Sequence, residues 1–322
     1  KLLVLSVMKI DIKRLKLTFQ IYNFFHKKYL IHNLPLYKKY GIQKKYFSPI
    51  RSKDFSGMYE TSNIHDRLDS KEELPKNPEF LKLETALQNE LLSWSADGYV
   101  VLKKYFSPDY VDTVNREVER LLDAKTIKFE NKNKIMFAIH HSKILLEVGA
   151  NSKMMNILEL LLGKELAVFQ SINFISGSEQ AAHSDAISMT TFPKGNLIAI
   201  WVALEDIGEE NGPLYYYPGS HRYPYIMNHD IGNESSSLLL GKKKYMVYAN
   251  KIKEVLKANK AKKKYLLAKK GDVLIWHHNL IHGGEKIINP KLTRKSMVFH
   301  YYAKDAIAYH EITERPTLKR YH

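Results

Sequence analysis

The chain has 322 residues, 44% of them apolar, which is enough for one large domain or two small ones around a sizeable core. It has no cysteine, so disulfides, thiolate metal sites and cysteine nucleophiles are excluded, and any metal must be held by His, Asp, Glu or backbone oxygen. The net charge of +16 sits in two places: residues 1–60 carry 13 Lys and Arg against 3 acids, residues 241–270 carry 12 against 1, and the remainder is slightly acidic.

Residues 1–80 read as a basic N-terminal extension, partly ordered and mostly solvated. Its apolar start at residues 2–7 is too short for a membrane span, and no small-residue cleavage site follows it. No secretory signal or transmembrane segment is read, and a cytoplasmic setting is expected. Helical spacing over residues 12–29 fits a basic helix on a membrane surface or a solvated helix. No helix-turn-helix, zinc finger or RNA-binding signature accompanies the charge, so no specific nucleic-acid partner is expected.

The main domain is read as 81–322. Helical spacing over 84–94 leads to the turn Asp97-Gly98 and a strand at 99–102. Ser107-Pro108 is an N-cap followed by proline, and opens a helix with Val111, Val114, Val118 and Leu121 on one face. A second helical region, 143–162, ends at Gly163. From residue 165 short β-rich runs follow one another, at 166–175, 197–204, 214–217, 272–276 and 296–302. Helices first and strands afterwards predict a mainly β fold with a helical shell, as a barrel or sandwich. A lysine-rich insertion at about 226–270 interrupts the strands and has helical spacing over 245–258.

Three groups of residues carry chemistry. His183-Ser184-Asp185 places His and Asp on one face if the segment is extended. His282-Gly283-Gly284 follows a buried strand, where a histidine can turn its ring into a barrel mouth. His278 and His282 are spaced i, i+4, but the glycines and the preceding strand argue against a helical zinc pair. Two His and one carboxylate form a facial triad that leaves three positions open on iron(II). Arg294 begins a strand twelve residues later. Its fork suits a carboxylate if it points inward, and Ser296 shares its face; either Arg294 or Lys295 must face out.

His183-x-Asp185, Asn211-Gly212-Pro213-Leu214, Pro218-Gly219-Ser220-His221, Gly271-Asp272-Val273, His282-Gly283 and Arg294 together resemble the phytanoyl-coenzyme A dioxygenase family, which includes ectoine hydroxylase. The resemblance covers roughly residues 95–303. It implies a double-stranded β-helix of jelly-roll, cupin-like type, with Fe(II) and 2-oxoglutarate. His183, Asp185 and His282 would be the metal ligands and catalytic centre. Arg294, Ser296, Trp201 and Asn173 would contact the co-substrate, and Gln170 would face substrate or co-substrate. Dioxygen and a small molecule would be the partners, and a C–H bond would be hydroxylated rather than chlorinated, because Asp185 is kept. The residues by which acyl-coenzyme A hydroxylases and ectoine enzymes hold their substrates have no match here. The lysines of 241–270 suggest either a lid over the site with an anionic or carrier-linked substrate, or a solvated helix face. A cupin-like isomerase and a non-catalytic jelly-roll binding protein are the alternatives.

Overall fold

The structure, a computed structural model, describes residues 15–58, 69–130, 133–233, 235–236, 238–241 and 245–320. The apolar start at 2–7 lies outside them. Twelve strands are present among the described residues: β1 (Tyr99–Leu102), β2 (Lys134–Met136), β3 (Leu166–Phe174), β4 (Thr190–Phe192), β5 (Leu197–Ala203), β6 (Leu214–Tyr216), β7 (Lys264–Leu266), β8 (Val273–His277), β9 (His282–Gly284), β10 (Ser296–Ala303), β11 (Ile307–His310) and β12 (Arg315–Pro316). Six make one antiparallel sheet in the order β1-β8-β5-β10-β3-β2. Two three-stranded antiparallel sheets, β7-β6-β9 and β12-β11-β4, complete the β structure.

The large sheet is buried on both faces, which explains the unbroken apolar run of β5. On one face Ile200, Val202, Ile275, Met297 and Phe299 pack against the helices Pro108–Asp123, Lys143–Ala150 and Ser152–Leu162. On the other, Trp201, Leu274, Trp276 and Val298 pack with Leu214 and Tyr216 of the β7-β6-β9 sheet. The helices start where caps satisfy the free N–H groups: the Ser107 side chain accepts from Tyr110 N–H and Asn151 from Met154 N–H. At Gly149 a β-carbon would stand 2.3 Å from the Phe299 ring, so glycine is what lets that helix approach β10.

The N-terminal region is less solvated than its composition suggests. Leu36, Tyr37, Ile50 and Phe55 pack with Phe192, Ile307 and Tyr309 of β4 and β11, and the Phe55 and Phe192 rings stack at 4.2 Å. Lys16, itself buried, pairs with the buried Glu314 at 2.6 Å. The partners of this segment lie at Phe192 and at 307–314, far along the chain and out of reach of local spacing. No described helix is long and apolar enough to cross a membrane.

Candidate active site

A cavity of about 670 Å³ opens between the large sheet and the sheet containing β9. That is within the roughly 300–1,000 Å³ of small-molecule sites. Its inner end gathers His183, Asp185 and His282, whose ligand atoms all lie within 4.8 Å of one another. Asp185 Oδ1 stands 3.9 Å from His183 Nε2 and 3.8 Å from His282 Nε2.

The backbone sets this geometry. His183 and His282 form an isolated antiparallel bridge, each N–H donating to the other's carbonyl at 2.9 Å. Asp185 N–H donates to the His278 carbonyl at 2.9 Å. The Gly283-Gly284 pair is required by close packing. A β-carbon at Gly283 would stand 2.5 Å from Tyr215 Oη, and one at Gly284 would stand 2.5 Å from Ser178 Oγ. The Pro218-Gly219-Ser220-His221 turn is structural, because Ser220 Oγ accepts from Ile281 N–H at 2.8 Å, next to His282.

Each histidine is held in one tautomer. Nδ1 of His183 donates to the Ala181 carbonyl and Nδ1 of His282 to the Leu280 carbonyl, both at 2.9 Å. A carbonyl only accepts, so the proton sits on Nδ1 and the Nε2 lone pair faces the centre. Burial, with His282 close by, pushes His183 down to about 4, so it is neutral at neutral pH. Burial opposes ionisation of Asp185, but His282, His300 and His183 around it together hold it well below the usual carboxylate range. Trp276 Nε1 donates to Asp185 Oδ2 at 2.9 Å, which leaves Oδ1 directed at the two imidazoles. This donor set, two imidazoles and one carboxylate on one side of a point, fits iron(II).

Arg294 resolves the choice between it and Lys295. It is 2% exposed and lines the cavity, whereas Lys295 reaches out to Glu119 at 2.9 Å. Burial lowers the Arg294 guanidinium to about 10, so it remains a cation at neutral pH. No described carboxylate forms an ion pair with it, and its Nε is buried without a partner. The Trp201 indole N–H, also on the cavity wall, and the Ser296 hydroxyl are buried without partners too. A buried donor left unpaired costs about 1–3 kcal/mol. Two of them, Arg294 and Trp201, face one cavity and therefore fit a small acceptor-rich molecule such as a dicarboxylate, whereas Ser296 is not among the cavity-lining residues.

The other singled-out residues separate. Gln170 lines the cavity. Asn173 does not: it stands opposite Met297, whose side chain packs on the helical side, and alternates with Ile172 and Phe174, which do line the cavity. His278 contributes its backbone and is outside the ligand cluster.

The lysine-rich insertion follows the solvated reading and not the lid. No described residue of 241–270 lines the cavity, and several of its lysines pair with surface acids, Lys263 with Glu285 at 2.9 Å and Lys269 with Asp206 at 2.8 Å. Its helix, Tyr245–Ala258, instead buttresses the metal site from outside, since Tyr248 Oη accepts from Ser184 N–H at 2.9 Å.

Sequence reasoning missed Trp276, His300, Gln180 and Tyr248. Gln180 Nε2 lies 3.1 Å from His183 Nε2. Trp276 read only as part of the continuous apolar run of β8.

The profile of the family described as Phytanoyl-CoA dioxygenase (PhyH) matches residues 94–296. The ectoine dioxygenase of Sphingopyxis alaskensis is 30% identical over 218 residues, 62% of this chain and 70% of that protein. The phytanoyl-CoA dioxygenase domain-containing protein 1 of Danio rerio is 35% identical over 99 residues, 29% of this chain and 34% of that protein. In three dimensions the chain is similar to the non-haem alpha-ketoglutarate-dependent carbocyclase SnoK from nogalamycin biosynthesis, with a TM-score of 0.58, 16% identity, and coverage of 71% of this chain and 87% of that one. It is also similar to EctD from S. alaskensis with 2-oxoglutarate and 5-hydroxyectoine, with a TM-score of 0.53, 22% identity, and coverage of 69% and 76%.

Proposed function

The chain belongs to the phytanoyl-CoA dioxygenase family and is a 2-oxoglutarate-dependent dioxygenase using iron(II), and on that footing we propose that it hydroxylates an unactivated C–H bond of a small-molecule substrate. Its three sheets are read as a double-stranded β-helix of jelly-roll type, with 81–322 as the catalytic unit and 1–80 as an appended segment. A cytoplasmic setting belongs to the same reading, and cell fractionation checks it.

His183, Asp185 and His282 would hold the metal. Arg294, with Trp201 beside it on the cavity wall, would receive the distal carboxylate of 2-oxoglutarate. When bound, the metal and 2-oxoglutarate supply the oxygen-activating chemistry, with succinate and carbon dioxide as by-products. The protein's own part is positional. The Ala181 and Leu280 carbonyls fix the imidazoles, Trp276 turns Asp185, and the apolar wall of Ile172, Phe174 and Val298 keeps bulk water away from the reacting end.

The observation that carries this reading is the juxtaposition, in one cavity, of a His-Asp-His cluster and a buried arginine without a carboxylate partner. The test is anaerobic addition of iron(II) and 2-oxoglutarate. A weak visible charge-transfer band is expected in the parent and in His278→Ala, and is expected to vanish in His183→Ala, Asp185→Ala and His282→Ala. A band that survives His282→Ala would reject this ligand set.

A further inference from the structure

The outer half of the cavity is built from segments that lie partly beyond residues 94–296. β12 and the residues after it bring Arg315, Thr317, Leu318 and Arg320 to its wall, and the helix Lys16–Phe25 brings Tyr22.

Charge on this wall is one-sided. The lining acids are Asp185, committed to the metal cluster, and Glu130, which is exposed. The lining Lys and Arg side chains are Lys134, Arg294, Arg315 and Arg320. Lys134 belongs to the inner end, where it reaches Gln180 Oε1 at 3.4 Å and lies 5.7 Å from the Phe174 ring that Arg294 also covers. With Arg294 assigned to 2-oxoglutarate, Arg315 and Arg320 remain, and no described carboxylate pairs with either. Neighbouring acids are already taken: Glu314, next to Arg315 in sequence, pairs with Lys16 at 2.6 Å and Arg51 at 3.5 Å.

Arg315 is also pre-oriented. It is half-buried, and its guanidinium lies 5.1 Å from the Phe19 ring centroid and 5.3 Å from that of Tyr22. Stacking on two rings leaves the N–H edge of a planar guanidinium available to an anion. Arg320 lies 5.6 Å from the Tyr29 ring. The same cavity wall carries Met136, Phe169 and Met189, interspersed with polar residues such as Gln170 and Ser188.

We propose that the mouth of the cavity is an anion seat, formed by Arg315 with Arg320, which holds the carboxylate or phosphate of a substrate whose apolar body extends inward to the metal. This inference rests on the dioxygenase reading above for the inner end, and assigns the substrate class: an apolar chain or ring system bearing one acidic group. The seat is separate from the 2-oxoglutarate anchor, so the two anions bind together.

The test uses decanoate, decyl phosphate and decanol as probes, titrated calorimetrically into anaerobic protein carrying iron(II) and saturating 2-oxoglutarate. At least one acid is expected to bind about tenfold or more tighter than decanol. Arg315→Gln should erase that preference and leave decanol binding unchanged, which also certifies that the variant is folded. The exposed Arg320→Gln should reduce the preference in part. Whichever acid wins identifies the headgroup.

The proposal is overturned if decanol binds as tightly as both acids, if none of the three binds, or if Arg315→Gln keeps the preference. It is equally overturned if excess 2-oxoglutarate displaces the acid, because the seat would then be Arg294. Failure of the dioxygenase reading appears separately, as the absence of the iron(II)–2-oxoglutarate band in the parent. Calorimetry without metal then still scores the anion seat.

Discussion

The two ends of the cavity are made differently. The inner end is built from strands and turns whose backbones are locked to one another, through the bridge between His183 and His282 and the bond from Asp185 N–H to the His278 carbonyl. The mouth is built from an N-terminal helix and the short edge strand β12 with the residues after it, held by stacking, by pairing with β11 and by the Lys16–Glu314 pair. Chemistry that must be placed to a fraction of an ångström lies on the rigid part. Recognition lies on segments that can change without disturbing the sheet.

Removing the anchor at the inner end should have the largest effect. Arg294→Leu is expected to weaken 2-oxoglutarate by about 2–5 kcal/mol, the cost of losing a buried charge-assisted contact, while iron(II) affinity changes little. Titrating the charge-transfer band against each component measures both. Equal 2-oxoglutarate affinity in the variant would move the anchor to the mouth and blur the division between the ends.

Trp276→Phe tests whether the inner end depends on support from behind. It frees Asp185 Oδ2 and should lower metal affinity about 10–100-fold, as loss of an orienting partner does elsewhere. Tyr248→Phe acts one layer further out. It leaves the buried Ser184 N–H without its acceptor and should cost about 1–2 kcal/mol in thermal unfolding, with a smaller change in metal affinity. Unchanged stability would mean that the insertion merely lies against the site. The smallest effect is expected from changing Lys262, Lys263 and Lys264 together to Gln. Exposed ion pairs are worth about 0–1 kcal/mol, and these lysines are outside the cavity, so turnover and its salt dependence should match the parent. A marked loss of salt dependence would restore the insertion as an electrostatic guide.

The same division governs what the sequence discloses. β5 is legible because a strand buried on both faces reads as Leu-Ile-Ala-Ile-Trp-Val-Ala without interruption. The His-x-Asp spacing and the histidine before two glycines are legible because ligand chemistry constrains both residue type and interval. Trp276 and His300 are not. Alternation along β8 and β10 says which face they occupy, but their meeting with Asp185 Oδ2 depends on cross-strand register. Asn173 illustrates the same limit in reverse, since its neighbours Ile172 and Phe174 take the cavity face. The mouth is hidden for another reason. Arg315 and Tyr22 are almost a whole chain apart, and local patterns carry no information about their meeting. The lysines of 241–270 mislead because charge was counted without the surface acids that pair with them.

The mutual N–H···O=C pair between His183 and His282 has a consequence for how metal and folding are linked. The two ligands are separated by about a hundred residues of chain, and closing a loop of that size carries a large entropic cost. Here that cost is shared with the backbone bridge and with the β7-β6-β9 sheet that carries His282. Metal binding then recruits side chains already held side by side and need not draw distant segments together. Stripping the ion with a chelator should leave the amide protons of His183 and His282 slow to exchange with solvent deuterium, as part of the same cooperative unit as the sheet.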